Sequence, residues 1–321
     1  ISIPELTGLK VKKPKIGITQ ENVDQAMQNL REQQGTLVPV EDRGVEPRDH
    51  LVADVHIRLG DQELMHQNDM QFSARPGRIA GVDIVDLDKQ LGGLKPGEKR
   101  TLTVKVPETH ANEQIRGKEV SVDFALKDIK RLELAEIDAP FLEGLGFTTQ
   151  EQLEDALREQ MEERIAYDIQ NSMREQVSKH LLDTVQIELP TKMSDRQTER
   201  VINRRAVDLM MRGMQREQIE ANLDRLRGGA KDEAVRELKL FFILQKIAAE
   251  KQVDATEAEL NGRIAVIAAQ RGQRPEKLKQ QMAKDGTLMN LYVHLREQKA
   301  LDEILKTAQI EEVELAPGDQ A

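Results

Sequence analysis

Apolar positions recur along this chain with two different periods, and the change of period divides it. Residues 1–14 alternate and are punctuated by Pro and Lys, which predicts an extended strand or linker. Between Thr19 and Gly35, Val23, Met27 and Leu30 share one face of a predicted helix. From Asp49 to Leu134 the pattern becomes strand-like. Strands are predicted over Leu51–Ile57, Arg100–Val106 and Glu119–Leu126, with turns at Lys95-Pro96-Gly97-Glu98 and Arg116-Gly117-Lys118. A small β domain therefore interrupts an otherwise helical chain.

After Ala135 every segment predicts helix. Thr148 and Glu151 read as a capping box, and Leu153, Leu157, Met161, Ile165, Ile169, Met173, Val177, Leu181 and Val185 follow at every fourth position. A four-residue step drifts around a helix of ~3.6 residues per turn. The stripe winds, which suits a long arm-like helix meeting different neighbours along its length. Its ladder reads as packing, because a long helix must bury a stripe to stay folded. Pro190 ends it. Further helices are expected through Val201 and Leu209 towards Met214, around Ile219 and Leu226 up to Gly228-Gly229, and around Leu238 to Ile243. A capping box of Thr256 and Glu259 opens another through Leu260, Ile264 and Ile267, and two more flank Gly286. The tail from Ile310 is acidic and expected to fray.

Composition sharpens this picture. Only 2% of the 321 residues are aromatic, 32% are charged and 38% hydrophobic, so thin local cores in an elongated helical protein are expected. A net charge of −10 disfavours binding to phosphate backbones, and no nucleic-acid partner is expected. The absence of Cys removes disulfides and thiol catalysis and fits a reducing cytoplasm. No apolar run reaches membrane-helix length, so no membrane partner is expected. The chain begins at Ile1 rather than Met, and an upstream segment is expected.

Collinear motifs carry a family resemblance. Gly8-Leu9-Lys10-Val11, Asn29-Leu30-Arg31-Glu32-Gln33-Gln34, the stretch from Pro107-Glu108 to Gly117-Lys118, and Val185-Gln186-Ile187-Glu188-Leu189-Pro190 occur in the order found in bacterial trigger factors, which the whole chain resembles. The resemblance implies a multidomain protein: an FKBP-like α+β domain inserted into a SurA-like, mostly helical chaperone body with arms. It implies residues 1–47 as a linker strand and helix packing on the body, 48–134 as the prolyl-isomerase-like domain, and 135–321 as the helical chaperone domain. The family's ribosome-binding domain is missing from these residues, and this stretch is not expected to dock on a ribosome by itself.

The resemblance also implies an isomerase pocket, and here the family's aromatic positions are altered. Val55, Leu64 and Thr109 stand where aromatics are usual, and Arg78-Ile79-Ala80-Gly81-Val82-Asp83 replaces the family's Phe-Ile-Pro-Gly-Phe-Glu. Phe72 and Phe124 remain as aromatic candidates. A weak or absent isomerase activity is expected. Met210, Met211 and Met214, with Ile264, Ile267 and Leu288, are candidates for a substrate-facing crevice, since Met suits adaptable binding faces as well as core gaps. Phe241-Phe242 reads as core. The six His residues are scattered with no i,i+4 pair, so no metal ligands, and no cofactor, are expected. Unfolded or nascent polypeptides are the expected partners, held without ATP; an active prolyl isomerase with a substrate-capturing helical appendage is the alternative, and a scaffold with one tight partner is a third. Whether the molecule forms a homodimer stays open.

Overall fold

The computed structural model describes residues 2–108, 110, 112, 114–211, 214 and 216–314, without the side chains of residues 217 and 218. Contacts gather the chain into two units, Ile18–Met161 on one hand and Ile1–Gly17 with Glu162–Ala321 on the other. In chain order the first elements are β1 (Lys10–Lys15), α1 (Gln20–Gln33), β2 (Thr36–Pro39), β3 (His50–Leu59), β4 (Gln62–Ser73), β5 (Gly77–Ile79), β6 (Val82–Ile84), α2 (Leu87–Leu91), β7 (Lys99–Lys105), β8 (Glu119–Glu133) and α3 (Ala139–Gly144). Then come α4 (Gln150–Thr184), α5 (Thr191–Met211), α6 (Arg216–Ala221), α7 (Leu223–Arg227), α8 (Ala230–Glu250), α9 (Glu257–Gln270), α10 (Pro275–Asp285), α11 (Thr287–Lys306) and β9 (Gln309–Glu314).

The unit Ile18–Met161 is built on an antiparallel sheet in the order β2-β8-β3-β4, with β7 also paired to β8. The length of β8 explains this: β7 pairs with Glu119–Ala125 and β2 with Lys130–Glu133. β3 alternates cleanly, with Leu51, Ala53, Val55 and Ile57 buried beneath the half-exposed His50, Val52, Asp54 and His56. β4 was missed by sequence reading because it does not alternate. Its register slips against β3 between Ile57 and Arg58, and Leu64 and Met65 both turn onto the core as a result. α1 starts with a reciprocal cap between Thr19 and Asn22. Its Met27 joins Leu142 of α3 and Leu153 of α4 in a small separate core.

The other unit is helical. Met173, Val177, Leu181 and Val185, the later rungs of the four-residue ladder, are buried with Ile243, Leu244 and Ile247 of α8 and Leu301, Ile304 and Leu305 of α11. No residue of α4 between Leu153 and Met173 is buried, so the ladder packs at its two ends. The cap of α4 lies one residue later than the sequence suggested. Gln152 N donates to Thr149 Oγ1 at 3.2 Å, and Thr148 N donates to Gln152 Oε1 at 3.1 Å. The tail also differs from expectation up to Glu314. β9 pairs in parallel with β1, setting Lys13 against Glu312 and Lys15 against Glu314. Among the described residues, no helix is long and apolar enough to cross a membrane.

Candidate functional site

The positions marked as an isomerase pocket are mostly core. Val55, Ile79, Val82 and Phe124 are buried, and Leu64 and Phe72 pack partly exposed against them. The Phe72 and Phe124 rings lie 5.6 Å apart, tilted. Thr109 lies outside the described residues. The altered Arg78–Asp83 stretch forms the β5–β6 hairpin. Its turn uses Gly81 at φ +87°, a conformation that costs a glycine nothing. Arg78 grips Asp83 through two hydrogen bonds of 3.0 and 3.1 Å, which hold the Asp83 carboxyl below its ordinary pKa and raise that of Arg78. His110 is tied down beside it: Asn112 N donates to His110 Nδ1 at 3.0 Å, so the Nε2–H is left to donate to Gly81 O at 2.9 Å. Phe72 and Ile79 do border a shallow hollow of about 380 Å³, but its rim is polar, formed by His50, Gln71, Ser73 and Arg78.

The apolar surface lies on the helices. α5 and α8 run antiparallel, with Val201 buried against Ala230 and Ala234. Their flanks are clamped by charge. Arg204 reaches both Glu233 and Glu237, at 2.7 and 2.6 Å, and Arg205 reaches Glu233 at 2.5 Å. Beyond the clamp, Val207, Met210 and Met211 at the end of α5 are exposed, Met211 by 84%. Met214 is half-buried, its N–H donating to Leu209 O. At the other end Met193 and Phe241 are exposed. Phe241 therefore departs from the core role expected of it. Its neighbour Phe242, half-buried, meets it edge-on at 5.2 Å.

A second group is formed by α9, α10 and α11. Ile264 is buried there with Ala268 and Leu278, and Ile267 and Leu288 pack half-exposed against them. Ile264 thus offers no surface to a ligand, whereas Val266 and Met289 do. On α11, His294 is held below its ordinary pKa by desolvation, with Arg263 and Arg174 adding repulsion. Glu297, one turn along, is raised by desolvation alone. Elsewhere, one group of described residues has metal-ligating chemistry: His56, Glu63 and His66 of the β3–β4 hairpin.

Residues 149–306 match the family model for the bacterial trigger factor protein C-terminus. Over these residues the chain is a trigger factor C-terminal domain. It is 26% identical to the trigger factor of Koribacter versatilis, covering 92% of this chain and 68% of that one. The trigger factors of Rhodopirellula baltica and Akkermansia muciniphila are 26% and 27% identical over 96% of this chain, and 65% and 72% of theirs. The chain thus spans about two thirds of the length of the curated relatives it matches. Among solved structures it is similar to one of the trigger factor chaperone described for promiscuous substrate recognition in folding and assembly. The TM-score is 0.43 at 21% identity, covering 92% of this chain and 70% of that chain. It is also similar to trigger factor domains from Thermotoga maritima, with a TM-score of 0.36 at 24% identity, 45% of this chain and 86% of that one.

Within this domain, sequence reasoning singled out the Met cluster on α5 but missed Tyr167, Met193, Val207, Val266 and Met289, all exposed. Val207 was legible, since it lies three and four residues before Met210 and Met211 and so shares their face. The others stand singly, and a single apolar residue carries no sequence signal of exposure.

Proposed function

We propose that this chain holds unfolded polypeptides without ATP, through several small apolar patches on its helical unit. The observation that carries the reading is the exposed set Val207, Met210 and Met211, beside the ion-paired flank of α5 and α8. Met side chains adapt to many partners, and the neighbouring charges keep the chaperone soluble. Weak patches acting together gain avidity without a deep pocket. Met193 with Phe241, and Val266 and Met289, would add further contact points. Residues 48–134 are read as an FKBP-like domain that is a weak isomerase or none. Val55, Ile79, Val82 and Phe124 are buried in its core and so are not free to wrap a proline, whose isomerisation must cross ~20 kcal/mol. The cytoplasm is the compartment this reading expects; nascent chains are natural clients, and any ribosome contact would come from outside these residues.

The test is light scattering by an aggregation-prone client diluted from denaturant. The chain in stoichiometric excess is expected to suppress scattering without nucleotide, and no suppression would reject the proposal. A parallel assay follows a proline-limited refolding step, for which little or no acceleration is expected. Strong acceleration would instead favour the active isomerase.

A further inference from the structure

We propose that His56, Glu63 and His66 form a binding site for a divalent transition-metal ion on the outer face of the β3–β4 hairpin. One ligating atom from each residue lies within 4.8 Å of the others. His56 Nδ1 and Glu63 Oε2 are already 3.4 Å apart. Tetrahedral zinc with bonds of ~2.0–2.1 Å sets its ligand atoms roughly 3.3–3.4 Å apart, so this pair needs almost no adjustment. His66 closes the set by a change of side-chain torsion on an exposed strand.

The backbone explains why the three meet. His56 and His66 are cross-strand partners, so their side chains leave the same face of the sheet, and their rings stack at 3.6 Å. In unbroken register Glu63 would point to the opposite face from His66, because it lies three positions, an odd number, before it. The slip between Ile57 and Arg58 sets Glu63 opposite Arg58 instead. That single irregularity carries Glu63 onto the histidine face, while Leu64 and Met65 both go to the core.

The surroundings suit a cation. His66 Nε2 lies 2.8 Å from Asn68 Oδ1. Donation of Nε2–H to that oxygen leaves Nδ1 as the basic nitrogen, the arrangement by which ligating histidines are usually oriented. Nearby positive groups are already neutralised. Arg58 is paired with Asp123 at 2.5 Å, and Lys127 with Asp54 and Asp69 at 2.7 and 2.8 Å. Two imidazoles and one carboxylate select zinc, nickel or copper over magnesium or calcium. Three protein ligands leave at least one coordination position to water. Bound metal would pin the two strands of the hairpin across its bulge.

The experiment is calorimetric titration of the full chain, freed of metal by chelator, with zinc chloride near neutral pH. One equivalent is expected to bind and to raise the Tm. Glu63→Gln is expected to weaken binding at least ~10-fold, Asn68→Ala by about 10–100-fold as for other supporting residues, and the double variant His56→Ala/His66→Ala to abolish it. These side chains are half-exposed or exposed, and far-UV circular dichroism checks that each variant is folded. Absence of zinc uptake by the parent chain, or binding undiminished in the folded double variant, would overturn the proposal.

Discussion

The exposed end of α5 provides the sharpest quantitative test of the holding function. Val207, Met210 and Met211 are exposed by 53%, 47% and 84%. Burying such a side chain completely is worth ~1.5–3 kcal/mol. Scaled by the exposed fractions, the three together offer a client about 3–5.5 kcal/mol. A segment covering half of that area would gain about 2 kcal/mol, roughly 25-fold in Kd at 1.4 kcal/mol per decade. Replacing all three by Gln removes the apolar gain and keeps side-chain length. Gln has nearly the helix propensity of Met, so α5 is expected to keep its stability within about 0.5 kcal/mol, the usual range for surface changes. The assay is fluorescence anisotropy of a labelled, permanently unfolded client titrated with parent and triple variant. A loss of affinity of about 10–30-fold is expected. If the triple variant folds natively and its Kd stays within a factor of about two, these side chains do not contact clients.

Three further outcomes follow from particular contacts. A Cβ at Gly44 would lie 2.3 Å from the carbonyl oxygen of Gly93, where backbone bonds Val45 N to Leu94 O and Gly93 N to Val45 O fix both strands of the contact. Gly44→Ala must push that backbone apart and is expected to cost more than ~2 kcal/mol in urea unfolding. Glu259 is lowered to about 2, first by its hydrogen bond from Lys299 and then by the Thr256 capping box. Its stabilisation is complete above the ordinary Glu pKa and is lost as pH falls from there through about 2. Hydrogen exchange at the start of α9 should therefore be faster in Glu259→Gln than in the parent at pH 7, and the difference should shrink steadily as pH falls from the ordinary Glu range towards 2. Glu297 has the opposite sign, because burial raises it. Its ionisation penalty is absent below the ordinary Glu range and grows as pH rises through the folded pKa. Glu297→Gln is expected to raise Tm at pH 7 and to leave it unchanged at acidic pH.

What the sequence disclosed follows from how far apart the interacting residues lie. The Thr256–Glu259 cap, the burial of Val177 and Leu181 and the alternation of β8 follow from patterns within a few residues, and all were readable. β4 was not, because a bulge breaks the alternation on which strand recognition depends. The β1–β9 pair was hidden for another reason: Lys13 and Glu312 complement each other only across nearly the whole chain. Phe241 misled because its stretch of α8 reads as apolar nearly all round, and only the packing of α4, α5 and α11 against that helix decides which part is left bare. The metal-ligating group needed cross-strand register, which no spacing rule for helices contains.

The same scarcity of aromatics that thins the cores also sets the character of the exposed surface. A protein with few large rings cannot assemble one broad binding floor, and it cannot close every helix face either. Val207, Met210 and Met211 are left uncovered where α5 ends, while the ion pairs of Arg204 and Arg205 cover its flank towards α8. Three exposed side chains fall far short of the ~1,600 Å² that a standard stable interface buries. Such patches are too small to hold a folded partner tightly. An unfolded chain differs because it can touch several of them in sequence, and each added contact acts at high effective concentration. Selectivity for unfolded over folded chains then needs no recognition motif. It follows from patch size and spacing, provided each patch remains individually weak.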